Sequence, residues 1–173
     1  MEILLVPILL LLGVTFVFTD NEEDEENSEP NVIVHVDDDN TSVGTQSIDR
    51  IFMLGGDDIA SGGDGDDEVF LGSGDDATVE IATDGSFDTV GMDGDDVIRG
   101  GDGNDVIFDS IGSNTIYGEL GEDVINAVDF AGDDDGSDII FGGYGADHIY
   151  VDDGDIVSGG AGYDSFYIVV SEP

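Results

Sequence analysis

Hydrophobic positions recur at a fixed spacing over most of this chain. Between Gly44 and Tyr167 they return every nine residues, as in Gly100 to Phe108, which reads GGDGNDVIF. Positions 1 to 6 of this unit hold glycine and aspartate and predict a turn, because glycine accepts positive φ and close backbone approach. Positions 7 to 9 hold β-branched and aromatic residues and predict a very short strand. The pattern therefore predicts an all-β chain of alternating turns and strands.

Position 8 is the predicted core position. One apolar side chain in nine cannot close a core, but coils stacked about 4.8 Å apart bury equivalent side chains as a continuous ladder. Irregular units at 80–90 and 151–158 and an insertion at 127–132 interrupt the frame and leave 13 units. Their position-8 residues are Ile51, Ala60, Val69, Thr78, Val90, Ile98, Ile107, Ile116, Ile125, Ile140, Ile149, Val157 and Phe166.

The large excess of acidic residues predicts that the chain binds cations. The chain has 173 residues, with 43 Asp and Glu against 2 Lys and Arg, and its formal net charge is -41. Stacked turns would bring the position-6 carboxylates together, which raises carboxylate pKa values and costs stability. A hard divalent cation between coils reverses that cost. Ca²⁺ accepts carboxylate and carbonyl oxygens in a flexible shell, whereas Mg²⁺ requires a stricter octahedron, so several calcium ions are the predicted cofactors.

Composition excludes several functional classes. Arg50 and Arg99 are the only strong cations, so no basic footprint for nucleic acid exists. The absence of cysteine excludes disulfides, thiolate metal sites and cysteine nucleophiles. His35 and His148 have no partners at a catalytic or zinc spacing, and His148, at the variable position 7, is predicted to be a solvated surface histidine. We therefore predict a protein that is not an enzyme.

The first 43 residues differ from the repeats. Ile3 to Phe18 is an uncharged apolar run, predicted to be a helix within an N-terminal signal or membrane anchor at 1–19, although a buried core segment is the alternative. Residues 20–43 are predicted to be an acidic, disordered linker. Within it, Asn31 to Val36 (NVIVHV) has the composition of a short strand at the edge of the following domain.

The repeats resemble a known family. GGDGNDVIF, GGDGDDEVF from Gly62, GGYGADHIY from Gly142 and GGAGYDSFY from Gly159 are similar to the RTX, or hemolysin-type, nonapeptide G-G-x-G-x-D-x-U-x. The resemblance implies a right-handed parallel β-roll at 44–173, with two nonapeptides in each 18-residue coil and calcium between turns stacked on one edge. The implied metal ligands are Asp58, Asp67, Asp76, Asp96, Asp105, Asp123, Asp138, Asp147 and Asp164.

Alternate units of such a roll fall on opposite edges. The edge with the strongest GGxG turns is predicted to carry Asp67, Asp105, Asp123, Asp147 and Asp164. The weaker edge is predicted to carry Asp58, Asp76, Asp96, Asn114, Asp138 and Asp155, with Asn114 as the poorest ligand. The 11-residue unit around Asp88 departs from the pattern, and its place in either stack is left open.

The resemblance also implies location and alternatives. Proteins of this type are exported, which predicts an extracellular or cell-surface location on a bacterium, with membrane anchoring through Ile3 to Phe18. Ile168 to Val170 is predicted to cap the last coil. The alternative functions are the calcium-binding remnant of a larger secreted enzyme, or an adhesion module that binds a cell-surface or glycan partner. The latter would use the position-9 aromatic residues Phe52, Phe70, Phe108, Tyr117, Phe141, Tyr150 and Tyr167.

Overall fold

The described part of the chain is all β. The computed structural model describes residues 29–79, 94–128 and 136–170, together with the backbone of 16–18. These residues contain no helix, and most of their strands have two to four residues, close to the predicted three-residue segment. Five strands have six residues and continue through positions 1 to 3, which were predicted to be turn. The strands are β1 Phe16–Phe18, β2 Asn31–Val34, β3 Thr41–Val43, β4 Asp49–Phe52, β5 Ile59–Ser61, β6 Glu68–Ser73, β7 Ala77–Thr78, β8 Val97–Asp102, β9 Val106–Phe108, β10 Thr115–Leu120, β11 Val124–Asn126, β12 Ile139–Tyr144, β13 His148–Val151, β14 Ile156–Ala161 and β15 Ser165–Ile168.

The strands form two sheets that the chain visits alternately. The eight-stranded sheet has the order β1-β2-β4-β6-β8-β10-β12-β14, and the seven-stranded sheet has the order β3-β5-β7-β9-β11-β13-β15. All pairings are parallel except that of β1 with β2, which is antiparallel. Each coil therefore contributes one strand to each sheet. The two parallel sheets confirm the β-roll architecture.

The core lies between the sheets and is built from position 8. Ile98, Ile116 and Ile140 are paired in register across β8, β10 and β12, and all three are fully buried. A second buried position was missed in the sequence: at position 1, four units have a buried apolar side chain instead of glycine, and a fifth has the buried Asp109. Buried core residues of this kind are Met53, Leu71, Ala127 and Val151.

The strand register shows that β6 and β8 are direct neighbours, although the irregular unit at 80–90 lies between them in the sequence. The strand register between β6 and β8 pairs Glu68 with Val97, an offset of 29 residues, whereas β4 and β6 pair Arg50 with Glu68 at an offset of 18. The difference of 11 residues equals the length of that irregular unit, so the predicted unit adds no strand between β6 and β8. Residues 80–93, including Asp88, lie outside the described residues.

The N-terminal predictions need two corrections. Residues 1–15, which hold most of the predicted apolar helix, lie outside the described residues, while its last three residues form β1 rather than helix. The predicted linker is too long, because β2 and β3 pair in parallel with β4 and β5 and so belong to the roll. Over the described ranges there is no helix long and apolar enough to cross a membrane.

The C-terminal tail does not form the predicted cap. The Val169 N–H donates a hydrogen bond to the Val151 carbonyl at 2.8 Å, so the tail prolongs the last strand instead of folding across the end of the roll. Ile168, Val169 and Val170 are exposed. Phe166, predicted to face the core, is 47% exposed because the described chain has no further coil to cover it.

Close stacking of the turns makes one glycine a sharp test of the fold. Gly103 has a φ of 145°, and a Cβ built there would lie 1.5 Å from the Gly74 carbonyl oxygen of the preceding coil. We expect Gly103→Ala to lower the free energy of unfolding by about 2–5 kcal/mol, through backbone strain and overpacking. Thermal and denaturant unfolding in calcium would measure it.

Gly55→Ala is the matched control. A Cβ at Gly55 meets nothing closer than the Ser73 carbonyl oxygen at 3.5 Å. We expect this variant to remain within about 1 kcal/mol of the parent chain. Equal losses in the two variants would contradict the described stacking of the turns.

Candidate metal centre

The position-6 residues form two columns, one along each edge of the roll. Each column lies where the chain enters one of the sheets after a glycine-rich turn. The first column, at the entry to the eight-stranded sheet, contains Asp49, Asp67, Asp96, Asn114, Asp138 and Asp155. The second column, at the entry to the seven-stranded sheet, contains Asp58, Asp76, Asp105, Asp123, Asp147 and Asp164.

This arrangement corrects the predicted assignment of residues to edges. Asp67 lies in the column of Asn114, whereas Asp58 and Asp76 lie in the column of Asp105. The prediction counted the segment at 80–90 as a unit, and this exchanged the edges of every earlier unit. The run of well-conforming turns that ends at Asp164 does lie in one column, the second.

A ladder of hydrogen bonds connects successive residues of each column. After the first member of each column, Asp49 or Asp58, the Oδ1 atom of each residue accepts the backbone N–H of the position-6 residue one coil earlier, with donor–acceptor distances between 2.7 and 3.2 Å. Asp105 N–H, for example, donates to Asp123 Oδ1 at 2.9 Å. Carboxylates that accept amide hydrogens in this way are held in one orientation. Each column is thus an ordered row of acidic groups along the roll.

The second carboxylate oxygen, Oδ2, has no hydrogen-bond partner at several column aspartates. At Asp67, Asp105 and Asp123, Oδ2 is buried and accepts no hydrogen bond, and the same holds at Asp58, Asp76 and Asp147. Position-1 glycine gives this atom its space, since a Cβ at Gly100 would lie 2.3 Å from Asp105 Oδ2. A buried polar oxygen without a partner costs free energy that a bound ligand would recover.

Burial makes these carboxylates weak acids. The pKa of Asp67 is raised to about 8, mainly by desolvation. The hydrogen bond from the Asp49 N–H opposes this increase in pKa, and the nearby Asp96 and Asp49 carboxylates add to it. The same causes, desolvation first, raise the pKa of Asp105 to about 7 and those of Asp76 and Asp123 to about 6. The pKa values of Asp58 and Asp147 are also raised, mainly by burial. The columns therefore favour either protons or cations.

Calcium fits this set of donors. Oriented carboxylate oxygens without hydrogen-bond partners are hard ligands of the type that Ca²⁺ prefers. No group of three or more His, Cys, Asp or Glu side chains in the described segments is close enough to hold a metal by itself. Carbonyl oxygens of the glycine-rich turns would have to complete the coordination shell, as the sequence predicts.

A second ladder runs along the turns and was missed in the sequence. In the turn before the second column, Asp57 N–H donates to Asp39 Oδ1 and Asp75 N–H to Asp57 Oδ1, both at 3.0 Å. The ladder continues from Asn104 N–H to Asp75 Oδ1 and from Glu122 N–H to Asn104 Oδ1. Here the donor belongs to the later coil, opposite to the first ladder. The short polar residue at position 5 was the available signal.

The two histidines differ in environment. His148 is exposed, as predicted, and its Nδ1 lies 3.4 Å from the Tyr167 hydroxyl. His35 is only 5% exposed, and its burial was missed in the sequence. It occupies the core position that Met53 fills one coil later, because Val34 pairs with Phe52 in the preceding strands. The sequence frame began at Gly44 and did not include this coil.

The raised pKa values predict how the metal-free roll responds to pH. Their folded values lie above the ordinary 3.8, so the folded chain binds protons more tightly than the unfolded chain. The stability that this provides is complete in acid and is lost as pH rises toward 8. We expect circular dichroism in EGTA to show more β structure at pH 4.5 than at pH 8.

Asp67→Asn tests the origin of this response. The amide keeps the Oδ1 acceptor of the ladder but cannot ionise, so the pH dependence above pH 6 should become shallower. Asp64→Asn is the control, because Asp64 is exposed in the adjoining turn. A metal-free chain that gains structure on going from pH 4.5 to pH 8 would contradict the electrostatic account of the columns.

Comparison with known proteins agrees with this geometry. A family model described as RTX calcium-binding nonapeptide repeat (4 copies) matches residues 43–77, 90–126 and 132–166, more than half of the chain. No curated protein and no solved structure matches the chain. The matched repeats contain both aspartate columns and imply calcium binding. The chain belongs to the RTX calcium-binding nonapeptide repeat family.

Proposed function

We propose that this chain is a non-enzymatic, exported protein whose roll folds when calcium binds along the two aspartate columns. The observation that carries the proposal is the row of buried Oδ2 atoms without hydrogen-bond partners, as at Asp67, Asp105 and Asp123. The proposed ligands are the position-6 aspartates of both columns together with carbonyls of the adjoining turns. Asn114 provides the weakest of these side chains, because its amide carries no charge.

Charge explains why binding would be coupled to folding. The net charge of -41 opposes compaction, and burial of the columns adds a further cost at neutral pH. Bound calcium supplies the positive charge that offsets both. Since the columns exist only when the coils are stacked, the free energy of binding contributes to the free energy of folding.

The proposed location follows from this coupling. Extracellular calcium modules bind with dissociation constants of about 10⁻⁴ to 10⁻³ M. At such affinities the chain would remain unfolded in a cytosol poor in calcium and would fold after export. RTX repeats are typical of secreted or extracellular bacterial proteins, which supports an extracellular or cell-surface location. Membrane anchoring through Ile3 to Phe18 remains part of the proposal.

The aromatic residues give little support to the adhesion alternative. They are divided between the two sheets rather than gathered on one face, and within a sheet their rings stack on each other with planes within 12°. Arg99 covers the Tyr117 ring at 4.1 Å. A sugar ring needs an open aromatic face, and these faces are largely occupied. The stacked pairs are Phe52–Phe70 at 4.8 Å, Tyr117–Phe141 at 5.1 Å and Tyr150–Tyr167 at 4.5 Å.

Calcium removal tests the coupling of binding and folding. At pH 7.5 we expect the full chain to give a β spectrum and a compact radius of gyration in millimolar calcium, and to lose both in EGTA. Magnesium at the same concentration should not restore them, because it keeps its waters and requires a stricter geometry. A β spectrum that persists unchanged in EGTA would overturn the proposal.

Amide variants separate the two roles of a column carboxylate. Asp105→Asn with Asp123→Asn keeps both Oδ1 acceptors but removes two charges, so calcium affinity should fall about tenfold or more while the fold at acid pH is retained. Isothermal titration calorimetry would measure affinity and stoichiometry.

Asn114 allows the reverse experiment. Its Oδ1 accepts the Asp96 N–H at 2.9 Å, like that of a column aspartate. We expect Asn114→Asp to increase calcium affinity or stoichiometry. Asp64→Asn, a change of charge at an exposed turn residue, serves as the control. Losses as large in the control as in the Asp105 and Asp123 variant would assign the effect to net charge and not to the columns.

A further inference from the structure

The last coil of the roll has an apolar, accessible surface unlike any other coil. Tyr163 is 94% exposed, and Ile156, Ile168 and Val170 are each about two-thirds exposed. Phe166 occupies the inward position of its strand and is still 47% exposed. The equivalent inward residue one coil earlier, Ile149, is fully buried. The ladder of core side chains therefore continues to an uncovered end.

The backbone at this end also has strand edges at which a further strand could pair. β14 and β15 are the outermost strands of their sheets, and no strand of the described chain pairs with their outer edges. Each column ladder uses a carboxylate of the following coil to accept a position-6 amide. At Asp155 and Asp164 the described chain contains no following coil. Unpaired strand edges of this kind are templates for association.

Charge distinguishes this end of the roll from the other. Residues 151–170 contain four acidic residues out of the 43 in the chain: Asp164, and Asp152, Asp153 and Asp155 before β14. The opposite end is joined to the segment 20–29, DNEEDEENSE, which contains seven in ten residues. Contact between two last coils therefore brings together the ends that carry less like charge. Contact between a last coil and a first coil brings the dense acidic segment close to the interface.

We propose that two copies of this chain associate tail to tail through the coil at 156–170. A twofold axis at this end sets β14 antiparallel to a terminal strand of the second copy, which extends a sheet across the interface. In this arrangement Phe166, Ile168 and Val170 of one copy are covered by the same residues of the other copy. It also closes the assembly at two copies, because both apolar ends are used. The inference depends on the folded roll and not on where calcium binds.

Engineered cysteines test the orientation, since the chain has none of its own. Tyr163→Cys should form a disulfide-linked dimer under mild oxidation of the full chain in calcium. Val43→Cys, at an exposed residue of β3 near the opposite end, is the control and should not. Cross-linking between the two variants when they are mixed would show head-to-tail stacking and overturn the proposal. A Tyr163→Cys chain that does not cross-link would overturn it as well.

Sedimentation of the full chain in calcium tests the surface. We expect the parent chain to approach twice its 18.1 kDa mass at micromolar concentrations. Ile168→Lys should weaken the dimer about tenfold or more, because a twofold contact places the two charges close together. Ile59→Lys changes a similarly apolar exposed residue in β5, near the opposite end of the seven-stranded sheet, and should leave the mass unchanged. Equal effects of the two substitutions would overturn the proposed surface.

Circular dichroism of the same samples separates this inference from the proposed function. A calcium-dependent β spectrum with a mass of 18.1 kDa at all concentrations would overturn the dimer and leave calcium-coupled folding intact. A dimer whose spectrum does not respond to EGTA would support the interface and overturn the coupling.

Discussion

The structure depends on the way in which each column aspartate divides its two oxygens. Oδ1 accepts an amide hydrogen from the preceding coil and so fixes the spacing of the turns, while Oδ2 at residues such as Asp105 stays buried without a hydrogen-bond partner. The first contact favours stacking and the second opposes it at neutral pH. The glycine at position 1, the short strands and the ladder of core side chains all allow the turns to stack with Oδ1 bonded and Oδ2 buried. The stability of the fold therefore depends on the proton or cation that binds Oδ2.

Much of the fold could be predicted because its period is simple. The repeat of nine identified the core position, with Ile107 and Ile125 buried as expected, and identified the aspartate position. However, a local sequence pattern cannot show which segments add no strand to the two sheets. The segment at 80–90 has a length close to that of a unit, and strand register alone reveals that β6 pairs directly with β8. One miscounted segment was enough to exchange the two edges for Asp58, Asp67 and Asp76.

The other features that the sequence did not predict depend on contacts between coils and not on contacts within one coil. His35 is buried because a neighbouring coil places it level with Met53, although nothing in its local sequence sets it apart from a surface residue. In the turn ladder, position 5 is aspartate at residues 57 and 75, asparagine at 104 and glutamate at 122, and its role is visible only when the next turn lies against it. The exposed tail carries the β-branched composition of a core strand, and exposure depends on whether another coil follows.

The alternation of the two sheets limits how a chain of this kind can change in length. Loss or duplication of one nonapeptide would transfer every later turn to the opposite edge, so that Asn114 would join the column of Asp76 and large position-1 residues such as Leu71 would face a new set of neighbours. A change of a whole coil leaves both columns in order. The number of repeats should therefore change in steps of eighteen residues, and a segment that breaks this period, such as 80–90, should add no strand to either sheet.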